Sequence, residues 1–130
     1  MEKRDLLEKQ IEQAGRVLGK LVAAALDTPV TGDLLPGLDA RHQQLREQLD
    51  IDVDLLGTLD AETLTVYLTE RHLSPEATEQ LAAYLLHTGH PAYLPTALTL
   101  LDVVDARTGD YSFSRAELRT RILRRLAADG

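Results

Sequence analysis

The residues with the most chemical potential lie in three short clusters. The first is Gly15-x-x-x-Gly19-Lys20, within "GRVLGKL" at 15–21. Two glycines and a lysine in that order resemble a loop that folds backbone amides around a phosphate. The spacing is one residue short of that loop, and no Ser or Thr follows Lys20 to hold magnesium. A phosphate loop must also join a strand to a helix, whereas here apolar residues recur at helical spacing on both sides. Each glycine inside a helix costs about 1 kcal/mol relative to alanine. That cost predicts a close approach by a second helix, within the fold or across a dimer, at Gly15 and Gly19 with Leu7, Ile11 and Leu18 beside them.

The second cluster is "DIDVDLLG", in which Asp50, Asp52 and Asp54 have the first three ligand positions of a calcium-binding loop. The pattern then stops: Leu55 stands where the turn glycine belongs and Ala61 where the bidentate glutamate belongs. The aspartates therefore read as solvent-facing or helix-capping, with Ile51, Val53, Leu55 and Leu56 as core contacts; a weak calcium or magnesium site is the alternative. The third is His87-x-x-His90. Two imidazoles at this spacing can share a transition metal, but Gly89 breaks the helix between them and a third ligand is needed. Asp102 and His72 are candidates for it that the spacing alone does not place. A helix C-terminus also favours a histidine through its dipole, so structural duty is expected, with no metal and no cofactor.

The three serines, Ser74, Ser112 and Ser114, each stand at a helix start, where capping accounts for them. No nucleophile and base are spaced for catalysis, so no catalytic residue is assigned. In "SRAELRTRILRR", Arg115 and Arg119 fall beside Ile122 and Leu126 on a helical wheel. Buried guanidinium groups need partners, and Asp102 and Asp105 on the preceding helix are the acids best placed to answer. A salt bridge joining the last two helices is predicted; the alternative is an anion pocket for a partner's carboxylate. "DYSFS" carries two of the five aromatic residues. Tyr111 and Phe113 read as a plug that seats the last helix, with Phe113 as a staple just before a Ser114 cap.

Nearly every segment that positions these residues reads as helix. Leu7, Ile11, Ala14, Leu18, Leu21 and Ala25 form one stripe along a helix at 5–26, opened by an Asp5/Glu8 capping box. "DTPVTGDLLPG" at 27–37 breaks it. A polar helix follows at 38–49, carrying Leu38, His42, Leu45 and Leu49. Asp60 caps a helix to about Arg71, with Leu64, Tyr67 and Leu68 inward. Ser74 and Pro75 open the next, which Gly89 ends. A helix at 93–105 buries Leu94, Ala97, Leu98, Leu101 and Val104, and Ser114 with Glu117 caps the last. No strand-like alternation competes. The expectation is an all-α, single-domain bundle of five to seven helices: a long N-terminal helix at 5–26 and a helical hairpin bundle at 38–130.

"LAAYLLHTGHPAYLPTALTLLDVV" resembles a tetratricopeptide hairpin, with Ala97 over Leu101 as the small-over-large contact of its second helix. Its turn is longer than the usual one and no second copy appears at a period near 34. With "LLEKQIEQAGRVLGKLVAAAL", "LDIDVDLL" and "TGDYSFSRAELRTRI", most of the chain resembles a family of short bacterial all-helical proteins with tetratricopeptide-like hairpins and no assigned function. The resemblance implies a bacterial source and a helical fold, and carries over no catalytic residue.

The chain has 130 residues, the size of one domain, and no cysteine, which removes disulfides and thiolate chemistry. Its apolar runs are too short to span a membrane, so a cytoplasmic protein is expected. The net charge of −7 is uneven: +1 over 1–26, −11 over 27–110 and +3 over 111–130. An acidic middle between mildly basic ends predicts pairing of the ends with the middle, and lacks the continuous basic face that nucleic acid needs. Two functions fit. One is a non-enzymatic interaction or oligomerisation module whose partner is another protein or a second copy, in a homodimer. The other is a ligand-binding protein or enzyme with a pocket lined by Tyr67, Tyr84, His87 and Arg119.

Overall fold

A computed structural model describes residues 3–26 and 37–129. They are all-helical, with no strand among them: α1 (Lys3–Leu26), α2 (Leu38–Leu49), α3 (Val53–Leu56), α4 (Ala61–Glu70), α5 (Pro75–His87), α6 (Leu94–Thr108) and α7 (Phe113–Asp129), with a single 3-10 turn, Pro91–Tyr93, leading into α6. The break expected at 27–37 lies outside the described residues except for Gly37, and so does the side chain of Ala25.

Local chemistry sets most of the boundaries. Asp52 accepts from the amides of Asp54 and Leu55 at the head of α3, Asp60 from Thr63 at 2.8 Å, and the Ser74 hydroxyl from Ala77 at 3.1 Å, with Pro75 in the first turn. These are the orphan amides that any helix start must satisfy. At the end of α4, His72 adopts φ 62° and the amide of Leu73 reaches back to the Leu68 carbonyl at 3.1 Å. A left-handed residue there terminates the helix, and histidine is among the few non-glycines that tolerate it. Gly109, at φ 67°, stops α6 three residues beyond the expected Asp105.

Two expected caps move. α1 begins at Lys3, so Asp5 lies inside the helix rather than at its start. At α7 the Ser112 hydroxyl accepts from the Arg115 amide at 3.3 Å, which makes Ser112 the cap and places Phe113 in the first turn. The Ser114 hydroxyl turns instead to Glu79 Oε2 on α5, at 3.2 Å.

One contiguous core holds the helices together, and α5 is its centre. Ala77, Thr78, Leu81, Ala82, Tyr84, Leu85 and Leu86 are all buried, so α5 is enclosed on most of its circumference. Its pairing with α6 across the Thr88–Tyr93 connection is the most extensive in the bundle, followed by its pairing with α1. From α1 the core receives Ala14, Leu18 and Val22, and from α7 it receives Leu118 and Ile122.

The front of α1 departs from the expected stripe. Leu7 is 45% exposed, Ile11 is half-buried and burial begins only at Ala14. Geometry explains this: α1 has 24 residues and α5 has 13, or about 36 Å against about 20 Å at 1.5 Å per residue. The first turns of α1 outrun the helix that covers the rest. Leu55, expected in the core, is also exposed, because the one-turn helix α3 turns only Val53 and Leu56 inward.

The glycines of α1 are not a seat for another helix in this fold. Among the described residues, a Cβ at Gly15 would meet nothing within 4 Å, and one at Gly19 would touch only the Gln80 side chain at 3.9 Å, an ordinary contact. Gly15→Ala should therefore raise stability by about 1 kcal/mol through helix propensity alone, read as a higher urea midpoint. A lower midpoint would mean that something close covers this turn after all.

Candidate functional site

The densest polar constellation joins α5, α6 and α7. Asp102 and Asp105 are three apart on α6, and Arg115 and Arg119 are four apart on α7, so each pair shares one helix face. Arg119 Nη1 lies 2.9 Å from Asp102 Oδ1, and Arg119 Nη2 lies 2.8 Å from Asp105 Oδ2. Asp105 Oδ1 accepts from Arg115 Nε at 2.8 Å, so one carboxylate serves both guanidinium groups. Arg115 continues to Glu79 Oε1 on α5 at 3.6 Å, to the Thr108 hydroxyl, and to the Asp110 carbonyl in the preceding turn. The Arg115 side chain is 11% exposed and that of Arg119 is 31%. Arg115 is thus the enclosed centre of the network and Arg119 its wetter edge. The network fixes α7 against α5 and α6 and leaves no guanidinium open to a foreign carboxylate at these positions.

The aromatic plug does not form. Phe113 is 74% exposed and Tyr111 is 81% exposed. With Ser112 as the cap, Phe113 belongs to the helix itself and points away from the core side marked by Leu118 and Ile122. Two of the chain's five aromatics therefore stand in solvent at the head of a helix that is firmly anchored behind them.

The aspartate triplet is divided among three structural tasks. Asp50, at φ 57°, ends α2 and pairs with Arg71 Nη2 at 3.2 Å. Asp52 caps α3, and Asp54 Oδ1 accepts from the Tyr93 hydroxyl at 3.0 Å. The histidines are likewise occupied. His87 Nδ1 meets the Ala83 carbonyl at 3.1 Å, whereas His90 Nδ1 accepts from the Ala92 amide at 3.1 Å and caps the 3-10 turn. Among the described residues no group of three His, Asp or Glu side chains is arranged to hold a metal ion.

The four residues expected to line one pocket serve separate neighbourhoods. The Tyr67 hydroxyl bridges the Asp50 carbonyl and the Asp52 amide while the Arg71 guanidinium lies 3.4 Å over its ring. His87 is held by its own helix, and Arg119 by the acids of α6. Only Tyr84 enters a second polar cluster, which the sequence did not reveal as such.

That cluster centres on His42 of α2. Its ring meets Tyr84 edge-on at 5.9 Å and Tyr93 at 5.5 Å, and Tyr93 stacks on His90 at 4.6 Å. Three buried polar atoms here have no hydrogen-bond partner among the described residues: Arg41 Nη1, His42 Nε2 and Tyr84 Oη. Burial pushes the Tyr84 phenol well above its ordinary value, with the Arg41 charge opposing. Burial and the hydrogen bond to Asp54 hold Tyr93 protonated, pushed up to about 12. Desolvation lowers His42, partly offset by the charges of Asp54 and Asp39, and lowers His87 against the pull of the Ala83 carbonyl. The cluster therefore holds neutral phenols and favours a neutral imidazole at His42. The inward position of His42 is legible from the 38–42–45–49 stripe of α2. Its aromatic partners come from elements whose packing the sequence does not spell out.

A buried hydroxyl without a partner destabilises the fold by its desolvation. Tyr84→Phe keeps the ring and removes that cost, so it should be neutral or stabilising by up to about 1 kcal/mol, measured by urea unfolding. A loss of more than about 1 kcal/mol would show that the hydroxyl is engaged in solution.

No protein-family model, curated protein or solved structure matches this chain.

Proposed function

We propose that this protein is a non-enzymatic helical interaction module that presents α7 to a protein partner. The observation that carries the reading is the exposure of Tyr111 and Phe113 beside a helix fixed by the Arg115 network. Aromatics are the preferred anchors of protein interfaces, since they bring large area at low conformational cost. An exposed anchor on a rigid support is ready to bind without first being ordered. On this reading the α5–α6 hairpin, tetratricopeptide-like in sequence, is the support and α7 the presented surface. Of the side chains that could have done chemistry, Asp52, Asp60, Ser74, Ser112 and His90 serve as caps, and Asp50, Asp102 and Asp105 are held in ion pairs.

The test is photo-crosslinking in living cells with benzoylphenylalanine at position 113 and, as a control, at exposed Glu62 on α4. Adducts of polypeptide mass specific to position 113 are expected. Recovery of the unmodified monomer alone would overturn the proposal.

A second reading, binding of a small polar molecule, draws on the three unpartnered atoms around His42. Native mass spectrometry of the purified protein tests it: a bound species present in the wild type and lost in Tyr84→Phe would favour it.

A further inference from the structure

The outward side of α7 carries a second stripe, distinct from the one that faces the core. Phe113, Ala116, Thr120, Leu123 and Ala127 follow one another at spacings of three, four, three and four. That alternation is the seam of a two-helix coiled coil, with Phe113, Thr120 and Ala127 at one set of seam positions and Ala116 and Leu123 at the other. At about 100° per residue the stripe lies about 140° around the helix from the direction of Leu118, Ile122 and Leu126. The exposures agree: Phe113, Thr120 and Ala127 are exposed, Ala116 is half-buried, and Leu123 is 50% exposed.

We propose that this seam pairs with the same seam of a second copy, α7 against α7, antiparallel about a two-fold axis between Arg121 and Ile122. The inference rests on the reading of the chain as an interaction module and names its partner. Two features single out a second copy in this orientation. First, the seam is self-complementary. With the axis there, Thr120 of one copy packs against Leu123 of the other, Ala116 against Ala127, and the small residues between the bulky ones let the two backbones approach. Second, the flanking charges have a register. Glu117 and Arg124 occupy the equivalent flanking position in successive heptads, and antiparallel helices bring such positions together. Glu117 then meets Arg124 of the second copy twice, once on each side of the axis. A parallel pair would instead set Arg119 beside Arg124 of the second copy, two like charges. A generic acidic partner would meet Glu117 on the flank of the seam. A self-paired face is isologous and closes at two copies.

One helix pair falls at the small end of specific interfaces, below about 1,200 Å² in total, so a weak, concentration-dependent dimer is expected.

The experiment is sedimentation equilibrium of the full chain from one micromolar to one millimolar. The wild type should be dimeric at the upper end. Leu123→Asp, at an exposed position, should leave the helical circular dichroism unchanged and remove the dimer. Glu117→Arg alone and Arg124→Glu alone should each weaken it about tenfold by placing like charges together. The double variant Glu117→Arg/Arg124→Glu should restore it to within about twofold, because the exchange preserves the pair. A parallel dimer would be strengthened by Arg124→Glu alone, which would overturn the proposed orientation. A chain that stays monomeric at one millimolar, or a dimer indifferent to Leu123→Asp, overturns the proposal. If the chain is monomeric while position 113 crosslinks to another polypeptide, only this inference fails. If position 113 crosslinks to nothing, the interaction reading fails with it.

Discussion

Leu101→Ala should cost about 3 kcal/mol of stability, the middle of the range for deleting most of a buried leucine side chain. Leu101 is fully buried on α6, the helix whose pairing with α5 is the most extensive in the bundle. The loss has two parts: the transfer free energy of the removed carbons, and the cavity that neighbours fixed by their own packing fill only in part. For a chain whose total stability lies at about 5–15 kcal/mol, that is a large fraction. It should appear as a fall of about 10 °C in melting temperature and a lower urea midpoint at unchanged slope. A loss under about 1 kcal/mol would mean that the core around α6 collapses freely to fill the gap.

The second large effect is expected at Arg115. Arg115→Ala should cost about 2 kcal/mol, in the range for removing charge-assisted hydrogen bonds in a sheltered site. It deprives Glu79 of its arginine, frees one oxygen of Asp105 and releases the Asp110 carbonyl in the turn that leads into α7. Arg115→Lys should recover little, because one ammonium group cannot span partners that a guanidinium reaches with three separate nitrogens. Arg119→Ala is the contrast. Its carboxylate partners are largely exposed, and pairs of that kind contribute less than about 1 kcal/mol, screened further by salt. Thermal melts at low and high ionic strength separate the two. Equal losses at both positions would remove the distinction between an enclosed centre and a wet edge.

Caps and periodicity made the helices legible, because both are local. Asp60 and Ser74 meet amides within three residues of themselves, Pro75 fixes the first turn through its own ring, and the spacing of Leu81 and Leu85 needs only the helix that contains them. The α6–α7 pairing was legible for a related reason. Two arginines four apart and two acids three apart each define a face, and adjacent helices bring such faces together. What failed were statements about cover. Leu7 lies on a regular stripe, and nothing in its spacing says that α5 is too short to reach it. Leu55 and Phe113 are apolar in apolar company, yet their burial depends on whether a neighbour closes over them. Gly15 invited a packing explanation from its cost alone, and within the fold no described residue closes on it. The His42 cluster was hidden because α2 brings its ring to Tyr84 and Tyr93, which lie far along the chain from it. The outward seam of α7 was present in the letters throughout, but it could be told from a core stripe only after Leu118 and Ile122 had taken the inner side.

The sharing of Asp105 has a consequence for how this fold can vary. A substitution at 102 disturbs one guanidinium, and Arg119 still keeps its second contact. A substitution at 105 unsettles Arg115 and Arg119 together, and with them the hold on the whole C-terminal helix. Asp102 can therefore be replaced with one arginine at stake, whereas no replacement at Asp105 leaves either arginine with its full set of partners.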